Sequence, residues 1–222
     1  MDETVKHLRR AAHYRALALL FAPPDARAGD ELRDLARDLG GAELAALATD
    51  VGAPLGALYH QCLGPTGAVR DCESDYEVNP LGGKGPLLAD VAGFYIAFKY
   101  EDATLECLSP DHVAMELGFM GWLALRAGYA AREGSAGDLA LCEDAAEKFM
   151  RDHLGRWAAT LVARVAERCP DTWYAHAATY TQTQLEALEP GRVAPPVSER
   201  RRVALPTLDE SDECGLPPDP QA

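Results

Sequence analysis

Residues 109–122 have the sequence SPDHVAMELGFMGW, and this stretch predicts the helix around which the rest of the chain packs. Ser109 can cap a helix, Pro110 has no amide to leave unpaired, and Asp111 places negative charge where the helix dipole favours it. Apolar residues cover most sides of the segment that follows, which is typical of a helix inside a bundle. We therefore predict a buried central helix that starts here and ends near Tyr129.

Two ionisable residues, His112 and Glu116, lie one turn apart on this otherwise apolar helix. The spacing alone leaves three interpretations open. The pair can satisfy itself within a core, it can line a polar pocket together with Asp111, or it can supply two ligands to a metal ion. Because neither a third ligand nor an HExxH motif accompanies the pair, we predict no metal site.

The composition predicts an all-α protein. A chain of 222 residues is long enough for one domain with a substantial core, alanine and leucine are abundant, and apolar runs with a period of two do not occur. We expect a single-domain bundle of about eight to ten helices, and no stretch is long enough to cross a bilayer. Helical periodicity marks residues 4–21, 29–39, 44–62 with a break at Pro54, 88–100, 139–153, 157–168 and 171–188.

A long loop, Gly64–Pro86, interrupts the helical pattern and concentrates negative charge around Tyr76. Its acidic residues are Asp71, Glu73, Asp75 and Glu77. The loop is either a solvated acidic segment or a recognition surface, since carboxylates can bind guanidinium groups and a tyrosine can stack on them. Lys84 among glycines lacks the spacing of a phosphate-binding loop, so nucleotide hydrolysis is not predicted.

Charge and cysteine content narrow the class of partner. The net charge of −14 argues against binding nucleic acid, whose backbone is itself negative. The six cysteines form no CxxC pair, which favours reduced thiols in a cytosolic protein. A metal or redox sensor built from His60, Cys62 and Cys72 remains the least favoured alternative.

The segment from residue 189 onward differs in composition from the rest of the chain. It is rich in proline and charge and poor in large apolar residues, so we expect a mobile tail at 189–222 behind a helical domain at 1–188. Within the tail, Arg200–Arg202 precede Val203–Leu205. This basic-then-apolar order could allow the tail to occupy a binding groove in cis.

Three motifs resemble those of the TorD/DmsD/NarJ family, which comprises cytoplasmic chaperones for the maturation of molybdenum enzymes. The motifs are PDHxxxELxFM at 110–120, ESDY at 73–76 followed by LADVAGFYIAF at 88–98, and FMRDHLGRW at 149–157. Their order and separation match the family over most of residues 8–188. One departure is Lys99, where relatives usually carry glycine, so the turn that follows the second motif needs another explanation.

The resemblance implies a cytoplasmic chaperone rather than an enzyme, and no nucleophile, dinucleotide or zinc-protease motif argues otherwise. Its client would be the catalytic subunit of a DMSO-reductase-type, molybdopterin-dependent oxidoreductase, bound through an N-terminal twin-arginine signal peptide. We expect no cofactor of its own, no stable membrane insertion, and a monomer or homodimer. The alternative is a NarJ-like assembly factor that grips a non-exported client away from any signal peptide.

The predicted peptide site combines carboxylates with aromatic walls. Asp111 and Glu116, together with the acidic loop, would receive the two arginines, and Glu116 would hold His112 between the carboxylates. Whether the aromatic residues of the second motif face a groove or only the core is open. The complete predicted set is Asp111, His112, Glu116, Glu73, Asp75, Tyr76, Tyr95 and Phe98.

Overall fold

The computed structural model describes residues 2–49, 51, 55–76, 83–105 and 107–196, and these residues form an all-α bundle of nine helices without a β-strand. The helices are α1 (Glu3–Phe21), α2 (Ala26–Leu39), α3 (Ala42–Thr49), α4 (Leu55–Cys62), α5 (Gly85–Phe98), α6 (Val113–Glu133), α7 (Ala136–Asp152), α8 (Leu154–Arg168) and α9 (Trp173–Leu188). A single 3₁₀ turn spans Glu73–Asp75 within the acidic loop. The predicted fold class is confirmed.

Helix α6 is the buried central helix that the sequence predicts, and it packs chiefly against α1 and α7. Two of its glycines permit close contacts. A Cβ atom at Gly118 would lie 2.2 Å from the Tyr100 hydroxyl, and one at Gly121 would lie 3.3 Å from the Ala11 carbonyl oxygen of α1. The small residues of α6 therefore set how closely its neighbours approach.

The start of α6 differs from the sequence prediction, which placed the cap at Ser109. The cap is His112, whose Nδ1 accepts a hydrogen bond of 3.1 Å from the Ala114 amide. Ser109 instead forms a turn, in which its carbonyl accepts from the His112 amide and its hydroxyl donates to Asp111. The helix also runs on to Glu133, because Gly134 ends it in the left-handed conformation with φ of 70°.

Other helix ends follow from local capping chemistry. Asp25 caps α2 by accepting from the Ala28 amide at 2.6 Å, which starts this helix before the predicted residue 29. Thr172 caps α9 by accepting from the Ala175 amide at 3.2 Å, so the helix begins at Trp173, two residues after the predicted start at 171. Helices α3 and α4 are separate, as the proline between them predicts, although residues 52–54 lie outside the described part of the chain.

Lys99 ends α5 in the left-handed conformation, with φ of 51° and ψ of 46°. The family resemblance implies glycine at this position. The lysine therefore makes the same turn that glycine would make, at a steric cost that glycine does not incur.

The first eight residues of the predicted tail lie against the bundle. Glu189 is 1% exposed and pairs with Arg10 and Tyr14 of α1, while the Ala194 amide donates to the Gly155 carbonyl at 2.7 Å. Residues 197–222, including Arg200–Arg202 and Cys214, lie outside the described residues, so the mobile tail stays a prediction there. Within the described residues, no helix combines the length and apolar character needed to span a membrane.

Candidate functional site

Six ionisable side chains that are at most 4% exposed form one buried polar layer beside the start of α6. The loop before α5, the turn before α6, the first turn of α6, and the junction of α7 and α8 contribute to it. Its members are Asp71, Glu73, Asp111, His112, Glu116 and His153.

A short antiparallel pairing brings the acidic loop onto the start of α6. Cys72 forms an isolated bridge with His112. On either side of it, the Glu73 amide donates to the Asp111 carbonyl at 2.8 Å and the Val113 amide donates to the Asp71 carbonyl at 2.9 Å. These backbone bonds turn residues 71 and 73 towards the central helix, and so they fix the positions of two carboxylates.

His112 is held by Asp71, and the expectation that Glu116 holds it is wrong. Its Nδ1 accepts from the Ala114 amide, which leaves the proton on Nε2, 3.1 Å from Asp71 Oδ2. Tyr59 Oη lies 3.4 Å from the same nitrogen. The imidazole thus links the helix cap to the acidic loop.

Asp111 is a buried carboxylate with two hydrogen-bond donors. The Ser74 amide donates to its Oδ2 at 3.0 Å, and the Ser109 hydroxyl donates to its Oδ1. Burial disfavours the charge, yet these hydrogen bonds outweigh it and hold the pKa of Asp111 below its ordinary value. The group is therefore ionised at neutral pH, and it fixes the loop at Ser74.

Glu116 is fully buried and faces a second carboxyl group, that of Glu73. Burial first, and then the charge of Glu73, raise the pKa of Glu116 well above its ordinary value, although the Trp157 indole donates to its Oε2 at 3.0 Å. Oε1 of each glutamate is buried without a hydrogen-bond partner. Because the pKa of Glu116 is raised, Glu116 can keep its proton and donate it to the carboxylate of Glu73.

His153 connects this pair to the protein surface. Its Nδ1 lies 3.1 Å from Glu73 Oε2. Its Nε2 has no hydrogen-bond partner, but it lies 3.4 Å from Oδ2 of Asp90, within ion-pair distance of a side chain that is 68% exposed. The histidine occupies the break between α7 and α8, where the backbone leaves helical geometry. The buried layer therefore ends at an open carboxylate on α5.

A cavity of about 840 Å³ opens at this surface. Two carboxylates on its lining are exposed, Asp90 at 68% and Asp152 at 46%. Lys84 also lines it and pairs with Asp75 at 2.9 Å. The full lining is Glu73, Ser74, Gly83, Lys84, Pro86, Leu87, Ala89, Asp90, Asp152, His153 and Arg156.

The structure separates the eight predicted site residues into three groups. Glu73 lines the cavity and Asp75 reaches it through the ion pair with Lys84, whereas Asp111, His112 and Glu116 belong to the buried layer. The aromatic residues Tyr76, Tyr95 and Phe98 form the third group.

Tyr95 and Phe98 lie in the core, packed on Phe119, and the Tyr95 hydroxyl donates to the Pro110 carbonyl at 2.8 Å. Tyr76 is half-buried and stacks on Trp157, with the chain's own Arg164 guanidinium 4.7 Å from its ring centre. This face of Tyr76 is therefore already covered by a cation. Tyr95 and Phe98, the two predicted site residues on α5, therefore face the core and not a groove.

Sequence reasoning did not single out Asp90, Asp152 and His153 as site residues. All three lie within the quoted motifs at 88–98 and 149–157, so the motif match was the signal that could have identified them. The proposed sensor residues His60, Cys62 and Cys72 do not form a converging ligand set among the described residues.

Comparisons with known proteins agree with the fold and the motifs. A family model described as "Nitrate reductase delta subunit" matches residues 22–163. The crystal structure of a candidate redox enzyme maturation protein from Archaeoglobus fulgidus aligns with a TM-score of 0.55 and 21% identity, covering 79% of this chain and 93% of that one. At this identity the likeness supports the all-α fold alone. A search of curated proteins found no significant match.

Proposed function

The chain belongs to the nitrate reductase delta subunit family of maturation chaperones, and we propose that it binds the apo catalytic subunit of a molybdenum oxidoreductase of the DMSO-reductase type. It would act in the cytoplasm, assist cofactor insertion, and delay export by holding the client's twin-arginine signal peptide. In this role the chain binds and releases a protein and catalyses no reaction.

The observation that carries the proposal is the pair of exposed carboxylates, Asp90 and Asp152, on the cavity beside the buried layer. Asp90 can bind an arginine by a charge-assisted, two-point hydrogen bond. Asp152 already accepts such a bond from the chain's own Arg151, at 2.9 and 2.7 Å, so a client arginine would share Asp152 with Arg151 or replace it there. With the ion-pair partners Asp75 and Arg151 included, the cavity carries four carboxylates against Lys84, Arg151 and Arg156. An arginine of a client would balance this negative excess.

The same cavity offers apolar surface next to the charges. Pro86, Leu87 and Ala89, at the start of α5, contribute it. A signal peptide presents arginines followed by an apolar stretch, and a receptor for it needs carboxylates beside an apolar wall on preformed helices. The arrangement at the start of α5 meets this requirement.

The buried layer acts as the support of the site in this proposal. Asp111 is 1% exposed and Glu116 is 0% exposed, and both already have internal hydrogen-bond donors. An arginine could reach them only if the acidic loop separated from α6. We therefore assign them the task of holding Ser74 and Glu73 in place, and we assign contact with the client to the exposed carboxylates.

The test is a calorimetric titration of a synthetic peptide, in which two arginines precede an apolar segment, into the wild type and three variants. Asp90→Asn and Asp152→Asn are each expected to weaken binding at least tenfold, whereas Asp144→Asn, an exposed control on α7, should leave the affinity unchanged. Raising the salt concentration should weaken wild-type binding, because exposed charges are screened.

A peptide with two lysines in place of the arginines is the matched ligand control, since lysine cannot form the two-point bond. Equal affinity of all three variants for the arginine peptide would exclude this cavity as the site. All three substitutions are at exposed side chains, so a loss of binding would not reflect unfolding.

The family description also favours a second candidate, a NarJ-like factor that grips a client remaining inside the cell. Such a factor would bind the catalytic subunit without its leader. Comparing the affinity for a catalytic subunit with and without its N-terminal segment separates the two functions, because the signal-peptide proposal expects binding to be lost and the alternative expects it to be retained.

A further inference from the structure

Three potential metal ligands converge outside the lining of the proposed client site. Glu3 and His7 lie one turn apart at the start of α1, and Glu143 lies on α7. One nitrogen or oxygen atom from each side chain lies within 4.8 Å of the corresponding atoms of the other two. The client site does not use any of these residues.

His7 gives the independent reason to look for a ligand here. The residue is 6% exposed, and its buried Nε2 has no hydrogen-bond partner. The Glu143 carboxylate lies 3.5 Å from this nitrogen, which is longer than an ordinary hydrogen bond. Buried polar atoms in native proteins nearly always have a partner, so this nitrogen points towards a missing one.

We propose that Glu3, His7 and Glu143 bind a zinc ion. Imidazole nitrogen and carboxylate oxygen are both zinc ligands, and three protein ligands leave a fourth, tetrahedral position for water. Calcium and magnesium prefer ligand sets made of oxygen alone, so the histidine favours zinc over them. Two carboxylates also balance the double positive charge of the ion.

The geometry permits the site to close around the ion. Ligand atoms of a tetrahedral zinc site with bonds of about 2.0–2.2 Å lie roughly 3.4 Å apart. The Glu143 side chain is 52% exposed and Glu3 is exposed, so both can move inward towards the fixed imidazole. A bound ion would join the first turn of α1 to α7.

The experiment is a calorimetric titration of the full chain with zinc chloride alone. We expect one ion per chain, with affinity reduced at least tenfold by Glu3→Gln and by Glu143→Gln. Glu147→Gln, one turn further along α7 at a side chain that is 57% exposed, is the matched control and should not change the affinity.

Cobalt substitution adds a readout that depends on the type of ligand. Cobalt bound by nitrogen and oxygen should lack the intense charge-transfer band that thiolate ligands produce. The absence of this band would exclude binding of the ion by the free cysteines. The proposal is overturned by a failure to bind one ion, by equal effects of the three substitutions, or by a thiolate band. Because the substituted glutamates are exposed, folding should be unaffected.

Discussion

The turn before α6 buries the carboxyl group of Asp111, and the first turn of α6 buries that of Glu116. At neutral pH the first is ionised, whereas the raised pKa of the second favours its protonated form. Asp111 is 1% exposed and its pKa lies below the ordinary value, whereas Glu116 is 0% exposed and its pKa lies well above. Asp111 accepts from the Ser74 amide and the Ser109 hydroxyl. Glu116 accepts from one indole and faces Glu73. Burial opposes ionisation of both groups; at Asp111 the hydrogen-bond donors outweigh it, whereas at Glu116 the charge of Glu73 adds to it.

The two groups also contribute to stability in opposite pH ranges. The lowered pKa of Asp111 means that its contribution is present above the unfolded-state pKa and is lost as pH falls through the folded value. The raised pKa of Glu116 means that its contribution is complete below the unfolded-state pKa and is lost as pH rises through the folded value. The polar layer therefore has both an acid limit and an alkaline limit.

The largest effect is expected from removing the ionised member of the comparison. Asp111→Ala should lower the free energy of unfolding by about 3 kcal/mol, because it removes a buried charged acceptor and leaves the half-buried Ser74 amide without its partner. Asp111→Asn retains an acceptor oxygen and should cost roughly half as much. Urea denaturation at neutral pH measures both. If the two variants were equally stable, the hydrogen bonds that Asp111 accepts from Ser74 and Ser109 would not be the source of its contribution to stability.

The second prediction concerns the protonated member. Above the ordinary pKa of a glutamate, wild-type stability should fall as pH rises, by at most about 1.4 kcal/mol per pH unit for this one group. Glu116→Gln keeps an acceptor for the Trp157 indole, supplies a permanent donor to Glu73, and should remove this part of the slope. Denaturation curves across the pH range test it, and an unchanged slope in the variant would assign the alkaline limit to another group.

The smallest effect provides a control outside the layer. Lys99→Gly should stabilise the protein by ~0.5–1 kcal/mol, because glycine adopts the left-handed conformation without the steric cost that lysine incurs. The gain should be the same at every pH, unlike the changes in the layer. Lys99→Ala keeps the unfavourable conformation and should not show the gain, so thermal unfolding of the two variants isolates the backbone term.

Local patterns predicted much of the fold. Apolar residues on most sides of residues 113–123 indicated a buried helix, and Pro54 indicated a division that is seen between α3 and α4. Capping was less predictable. Ser109 has a good capping side chain, but its hydroxyl donates to Asp111, and the imidazole of His112 takes the cap. The choice between them depends on the acidic loop, which is distant in sequence.

Long-range pairing also explains why the hydrogen-bond partners within the site could not be predicted from local sequence. The spacing of His112 and Glu116 suggested that they pair, yet the partner of the histidine is Asp71, 41 residues earlier in the chain. Helical spacing pointed to His112 and Glu116, and the concentration of charge pointed to Asp71 and Glu73, but neither pattern tells whether a side chain faces solvent. Glu3 and His7 likewise show helical spacing, but Glu143 meets them only through the packing of a distant helix.

The path from Glu73 through His153 to Asp90 makes the interior of the bundle sensitive to what happens at its surface. If a client arginine binds Asp90 as proposed, its charge would change the electrostatic potential at the Glu73–Glu116 pair, so peptide binding and proton binding would be thermodynamically linked. Calorimetry in buffers of different ionisation enthalpy would count the protons exchanged per captured peptide. A count of zero would show that peptide binding at Asp90 does not affect the protonation of the Glu73–Glu116 pair.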